Sequence, residues 1–166
     1  MKLKTKKMVV SAVFAALICV ATMSISIPIP ATGGYINLGD CLVVLSAWLL
    51  GGTYGFAASA IGSMLADIFL GYSLYAPATF IIKGLMALCA YLIFKFLSKL
   101  PRIAAHFISA LCAEVIMVAG YFIYECFILG FGLGAVPSIF SNMVQAAGGI
   151  IISVFIITVI KIRKHK

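Results

Sequence analysis

The sequence predicts an all-α integral membrane protein of six transmembrane helices, with both termini on the cytoplasmic side. Three observations carry this. The 166 residues are 64% hydrophobic, at a mean hydropathy of +1.23, whereas a soluble domain is nearer about 45–50% apolar. Glycines, prolines and charges cut the chain into six apolar stretches. At about 20 residues per span these use up its length, so 1–166 reads as a single transmembrane domain. Finally, the basic residues fall into three clusters that six spans bring to one face.

The first span is Met8 to Ile27, ended by Pro28 and Pro30. It is too long for the 7–15-residue apolar region of a cleaved signal peptide, and reads as a retained helix. The second, Asp40 to Leu50, stops at Gly51-Gly52. Its residues reach only about 17 Å, so it has to tilt, extend into the flanking loop, or end partway under cover of protein. The third is Thr53 to Leu70, and the fourth Pro77 to Leu97, with its proline in the first turn where a missing N–H costs nothing. The fifth runs from Arg102 to Leu129 and the sixth from Pro137 to Ile160.

Charge sets the orientation. Lys2, Lys4, Lys6 and Lys7 precede the first span; Lys95, Lys99 and Arg102 flank the fourth loop; Lys161, Arg163, Lys164 and Lys166 close the chain. Six spans place all three clusters on one side, the cytoplasmic one. Beside apolar spans such clusters read as orientation signals, not as nucleic-acid contacts. The exception is Lys83, in the outer half of the fourth span. The acids Asp40, Asp67, Glu114 and Glu125 also lie away from the basic clusters.

An ionisable side chain within a membrane is costly, roughly 2.5–3.5 kcal/mol on insertion scales, and marks a candidate site. Asp67 and Lys83 lie at similar depth on consecutive antiparallel helices, so a neutralising structural pair and ligand contact are both open readings. Glu114, Tyr121 and Glu125 share one face of the fifth span; Asn142, Gln145 and Gly149 share one of the sixth. Two such stripes line a cavity or bond helix to helix. Small residues recur at four-residue spacing in the first span (Ser11/Ala15 and Ala12/Ala16). In the third span they form two stripes, Gly55, Ser59, Ser63, Asp67 and Ala58, Gly62, Ala66. Both patterns permit close helix contact. The third span is thereby expected inside the bundle, while the first-span stripe suits either an internal or a partner contact.

Several classes fall away. There is no phosphate-binding loop for ATP hydrolysis, no HExxH pattern and no Ser/His/Asp set, and His106 and His165 lie away from the acids. Cys19, Cys41, Cys89, Cys112 and Cys126 form no CxxC pair and read as small apolar residues, so neither a disulfide framework, a metal site nor a cofactor is expected. Six spans without visible inverted repeats are few for a secondary transporter. A polar outer pocket without an energy source points to a binding subunit, not an enzyme. The rivals are a self-sufficient small transporter or channel, and a structural subunit of a membrane complex.

The segments GYINLGD (Gly34 to Asp40), LLGGTYGFAASAIGSMLADIFLGY (Leu49 to Tyr72) and YAPATFIIKGLMAL (Tyr75 to Leu88) resemble the S components of energy-coupling factor (ECF) transporters. These are six-helix membrane proteins that capture vitamins. The likeness is nearest the riboflavin, hydroxymethylpyrimidine or vitamin B6 branch. It implies an outer-half cavity, a lid formed by the loop between the first two helices, and uptake driven by a transmembrane coupling subunit with two cytoplasmic ATPases. It also implies docking through an Ala-x-x-x-Ala pattern, matched by Ala12 and Ala16 although the next turn holds Val20. A vitamin B6- or hydroxymethylpyrimidine-like ring is favoured as substrate, with riboflavin or pantothenate as alternatives. Candidate ligand contacts are Tyr35, Asn37, Asp40, Lys83, Glu114, Tyr121, Glu125, Asn142 and Gln145. Within GYINLGD, the glycines serve a turn, Asn37 and Asp40 offer hydrogen bonds, and Tyr35 offers a stacking face. Asp40 also suits the N-cap of the second helix.

Overall fold

The computed structural model describes residues 3–30 and 32–164. Lys2 and Lys166 of the terminal basic clusters, and His165, lie outside them. Six α-helices form the bundle: α1 (Leu3–Ser24), α2 (Gly39–Leu50), α3 (Gly52–Phe69), α4 (Ala76–Phe96), α5 (Arg102–Ile123) and α6 (Val136–Lys164). α5 continues into a π-helical turn, Tyr124–Ile128, and a short 3₁₀ turn, Gly132–Ala135, leads into α6. By length and composition, Lys4–Ser24, Ala76–Phe96, Arg102–Ile128 and Gly132–Ile160 are able to cross a bilayer.

The chain is not purely helical. Between α1 and α2 an antiparallel hairpin pairs β1 (Ser26–Ile29) with β2 (Gly34–Asn37), setting Ser26 opposite Asn37 and Pro28 opposite Tyr35. The first span therefore ends at Ser24, earlier than the Ile27 expected. Pro28 is the cause: it cannot donate to a helix, and it pushes the residue before it toward extended backbone.

The short second helix is enclosed by protein. α2 packs against α1, α3, α4 and α6, and Val43, Val44 and Ala47 are completely buried. About 18 Å of helix suffices because lipid reaches little of it. Gly51 alone joins α2 to α3, at φ 87°, a left-handed conformation that suits glycine.

Both small-residue stripes of α3 are internal, with Ser59, Ala58, Ala66 and Asp67 all buried. At Gly62 an added Cβ would lie 2.4 Å from the Ala15 carbonyl oxygen, so α1 and α3 touch backbone to backbone. Ser11 donates a hydrogen bond to the Tyr54 carbonyl at 3.0 Å. Ala12 and Ala16, one position further round α1, remain exposed.

The outer surface carries Leu92, Phe96, Ile103, Phe140, Ile151 and Phe155, while Asp40, Asp67, Lys83, Glu114 and Glu125 are each at most 2% exposed. Apolar outside and ionisable inside is the arrangement a hydrocarbon solvent demands.

Candidate functional site

A small cavity lies beneath the hairpin. Its walls come from β2 (Tyr35, Asn37), α3 (Ser63, Asp67), α4 (Thr79, Lys83), α5 (Tyr121) and α6 (Asn142, Gln145), together with Thr22, Tyr75 and Glu125. Its free volume is about 20 Å³, room for roughly one water molecule.

Lys83 and Asp40 form a buried ion pair. Asp40 sits in the first turn of α2 and also accepts a hydrogen bond from the Gln145 amide. Lys83 Nζ lies 5.4 Å from the centre of the Tyr121 ring, within cation–π range. The structural pair of Lys83 with Asp67, one of the two readings open from the sequence, is therefore not formed. Asp67 accepts instead from the Tyr35 hydroxyl at 2.5 Å. Helix depth could suggest which charges lie at one level, but not which side of α4 Lys83 leaves from. The N-cap role for Asp40 is also not realised. The Asn37 side chain accepts from the N–H of Gly39, the first residue of α2, at 2.9 Å, and Asp40 stands behind the cavity wall.

The hairpin is held down by the same walls. The Asn37 N–H donates to Gln145 at 2.7 Å, and the Tyr75 hydroxyl faces the Thr32 carbonyl at 2.8 Å and Glu125 Oε1 at 3.2 Å. The other Glu125 oxygen accepts from Ser138. Burial, then the adjacent Asp67 carboxylate, raise the Tyr35 phenol above its ordinary pKa, which keeps it a proton donor. Its ring packs on Tyr72, with centroids 4.6 Å apart.

Of the residues expected at the site, Tyr35, Asn37, Lys83, Tyr121, Glu125, Asn142 and Gln145 share the cavity. Glu114 does not. It lies deeper, buried between α5 and α6, where a Cβ added at Gly149 would meet its carboxylate at 2.5 Å and the Asp40 Cβ at 3.2 Å. Neither of its oxygens has a hydrogen-bond partner among the described residues. Thr22, Ser63, Tyr75 and Thr79 line the cavity without having been singled out as ligand contacts. The available signal was the spacing of Ser63 and Asp67, four apart on one buried stripe. Thr79 and Tyr121 are bonded hydroxyl to hydroxyl at 3.0 Å.

A helical bundle, apolar outside, that encloses a polar cavity beneath a strapped hairpin has the build of a membrane-embedded solute-binding protein. Residues 2–162 match the family described as "ECF-type riboflavin transporter, S component". The chain belongs to this family of ECF transporter S components: multi-pass membrane proteins that bind substrate for a transporter and are not enzymes. Membership also implies association with the transmembrane and ATPase subunits of the ECF module. An uncharacterised protein of Pyrococcus woesei, described from the gap 3′ region, is 37% identical over 135 residues, covering 81% of this chain and 88% of that one. The fold is shared with a solved structure described as "Structure and mechanism of the S component of a bacterial ECF transporter", at TM-score 0.70 and 20% identity, over 98% of this chain and 97% of that one.

Proposed function

We propose that the protein captures a flat, polar vitamin or vitamin precursor in the cavity beneath the hairpin and presents it to partner subunits for ATP-driven uptake. The observation that carries this is the polar wall of Asp67, Glu125, Asn142 and Gln145, enclosed by an otherwise apolar bundle. Rings with several donors and acceptors match such a wall. A compact ring of the vitamin B6 or hydroxymethylpyrimidine kind is the first reading, because it asks the hairpin and walls to move least. Riboflavin is the second reading, supported by the description of the family, and pantothenate is a third. The positive clusters orient both termini toward the cytoplasm, with the hairpin outside.

The test is mass spectrometry of small molecules carried through purification, followed by uptake in proteoliposomes. A co-purified ring compound is expected, with uptake only when the coupling subunit and both ATPases are present. Uptake by this chain alone, driven by a proton or sodium gradient, would overturn the reading.

Ala12 and Ala16 are proposed as the docking stripe for the coupling subunit. They line an open groove between α1 and α3 with Met8, Ile61 and Leu65. Because small residues permit close helix approach, Ala16→Trp is expected to lower uptake about tenfold or more. Substrate affinity measured on the isolated protein should stay within about twofold. Equal loss of binding and uptake would make the stripe internal packing.

A further inference from the structure

We infer that Thr22, Ser63 and Asp67 form a subsite that takes a hydrogen-bond-donor edge of the ligand, an N–H or O–H on a neutral or cationic ring, and rejects an anionic group there. This rests on the reading that the cavity is the substrate site.

The inference starts from unmet hydrogen bonding. Thr22 Oγ1, Ser63 Oγ and Asp67 Oδ2 are buried without a partner among the described residues, and all three residues line the cavity. Their exposures are 3%, 2% and 2%. Buried polar atoms are rarely left so, and those that are call for a missing partner. Three groups of the facing wall are engaged. Glu125 uses both oxygens, on Tyr75 and Ser138, Gln145 uses both ends of its amide, on Asn37 and Asp40, and Lys83 is held by Asp40. The buried cavity atoms left without a partner among the described residues lie on the α1 and α3 side.

The residue types then specify the ligand's chemistry. Ser63 and Asp67 are four apart on α3 and share a face. An ionised carboxylate only accepts, whereas hydroxyls donate or accept. Asp67 Oδ1 already receives the Tyr35 hydroxyl. Thr79 is bonded hydroxyl to hydroxyl with Tyr121, and when Tyr121 donates, the Thr79 proton is free for the neighbouring Asp67 carboxylate. Asp67 Oδ2 has no partner at hydrogen-bond distance among the described residues, and the only salt bridge among them is the one that uses Lys83 elsewhere. A phosphate or carboxylate at this edge brings no donor and leaves the Asp67 oxygen unpaired, with charge repulsion added wherever Asp67 is ionised.

The test uses the full chain in detergent or nanodiscs, with calorimetric titration of three probes: 4-amino-5-hydroxymethyl-2-methylpyrimidine, riboflavin and pantothenate. For each ring that binds, the donor-deleted analogue is titrated too: the pyrimidine without its amino group, or 3-methylriboflavin. Deleting a hydrogen bond to a charged group is expected to weaken binding about 10-fold to 150-fold. Asp67→Asn should lose affinity in that range while melting near the wild-type temperature. The analogue should be penalised on the wild type but not on Asp67→Asn. Ser63→Ala and Thr22→Val should each cost about fivefold or more, which keeps the test alive if Asp67→Asn does not fold. A ring that binds with less than a twofold change across these variants and its analogue overturns the subsite alone. Pantothenate binding tightest would also overturn it, with the vitamin reading intact. No binding by any probe, and no co-purified small molecule, overturns the vitamin reading and the subsite together.

Discussion

Lys83→Met is expected to destabilise the protein by about 3–5 kcal/mol, the cost of leaving a buried charge without its partner. Asp40 is 1% exposed, and with Lys83 removed its remaining partner is the Gln145 amide. Water is not at hand to solvate the orphaned carboxylate. The partner assignment is tested by two double variants. Lys83→Met with Asp40→Asn removes both charges and keeps an amide beside Gln145, and should return to within about 1 kcal/mol of the wild type, as neutral replacements of buried ion pairs do. Lys83→Met with Asp67→Leu removes a carboxylate that Lys83 does not hold, and should be no more stable than Lys83→Met. Unfolding in mixed micelles with increasing SDS measures all three. Recovery by the Asp67 variant and not by the Asp40 variant would show the pairing to be wrong.

Gly62→Leu should be comparably severe, at or above the usual ~1–3 kcal/mol for overpacking. The obstruction is the Ala15 carbonyl, part of the α1 backbone, and no rotamer change can relieve it. α1 has to retreat as a whole, taking with it the Ser11 bond to Tyr54. Gly148 is the contrast, since a Cβ there meets nothing within 4 Å. Gly148→Ala should be neutral or slightly stabilising, because alanine is the better helix former by about 1 kcal/mol. The same SDS titration decides. A Gly62→Leu protein as stable as Gly148→Ala would mean that α1 and α3 are not in backbone contact.

The sequence made the helices legible where hydropathy and punctuation agreed. α2, α3 and α4 begin and end within a residue of the expected spans, because Gly51, Gly52 and Pro77 interrupt apolar runs sharply. The hairpin was not legible. Its strands have four residues each, too few to show an alternating pattern, and they lie where prolines signal only that a helix has stopped. Most of the cavity wall was visible as ionisable and amide groups out of place in an apolar chain. Their partners were not, since a sequence gives the face of a helix but not its rotation in the bundle. Glu125 illustrates the limit. Spacing alone put it on one face with Tyr121 and Glu114 but did not give depth: Glu125 lines the cavity with Tyr121. Glu114, about two turns deeper than Tyr121, stops beside Asp40 and Gly149, behind the cavity. The hydroxyls of Thr22, Ser63 and Thr79 gave less warning still, because in apolar helices such residues commonly bond other helices.

The closed hairpin has a kinetic meaning. Asp67 and Gln145, two of the groups a ring would contact, are held by Tyr35 and Asn37 of β2, over a space about the size of one water. The strap therefore covers the space that a ligand has to enter. Only the fraction of molecules with the hairpin raised can receive a ligand, so the apparent dissociation constant is the intrinsic one divided by that fraction. As ligand concentration rises, capture speeds up only until it meets the rate at which the hairpin lifts. Beyond that ceiling, a change on the hairpin such as Tyr35→Phe sets the pace of capture, and a tighter fit within the pocket changes only how long the cargo stays.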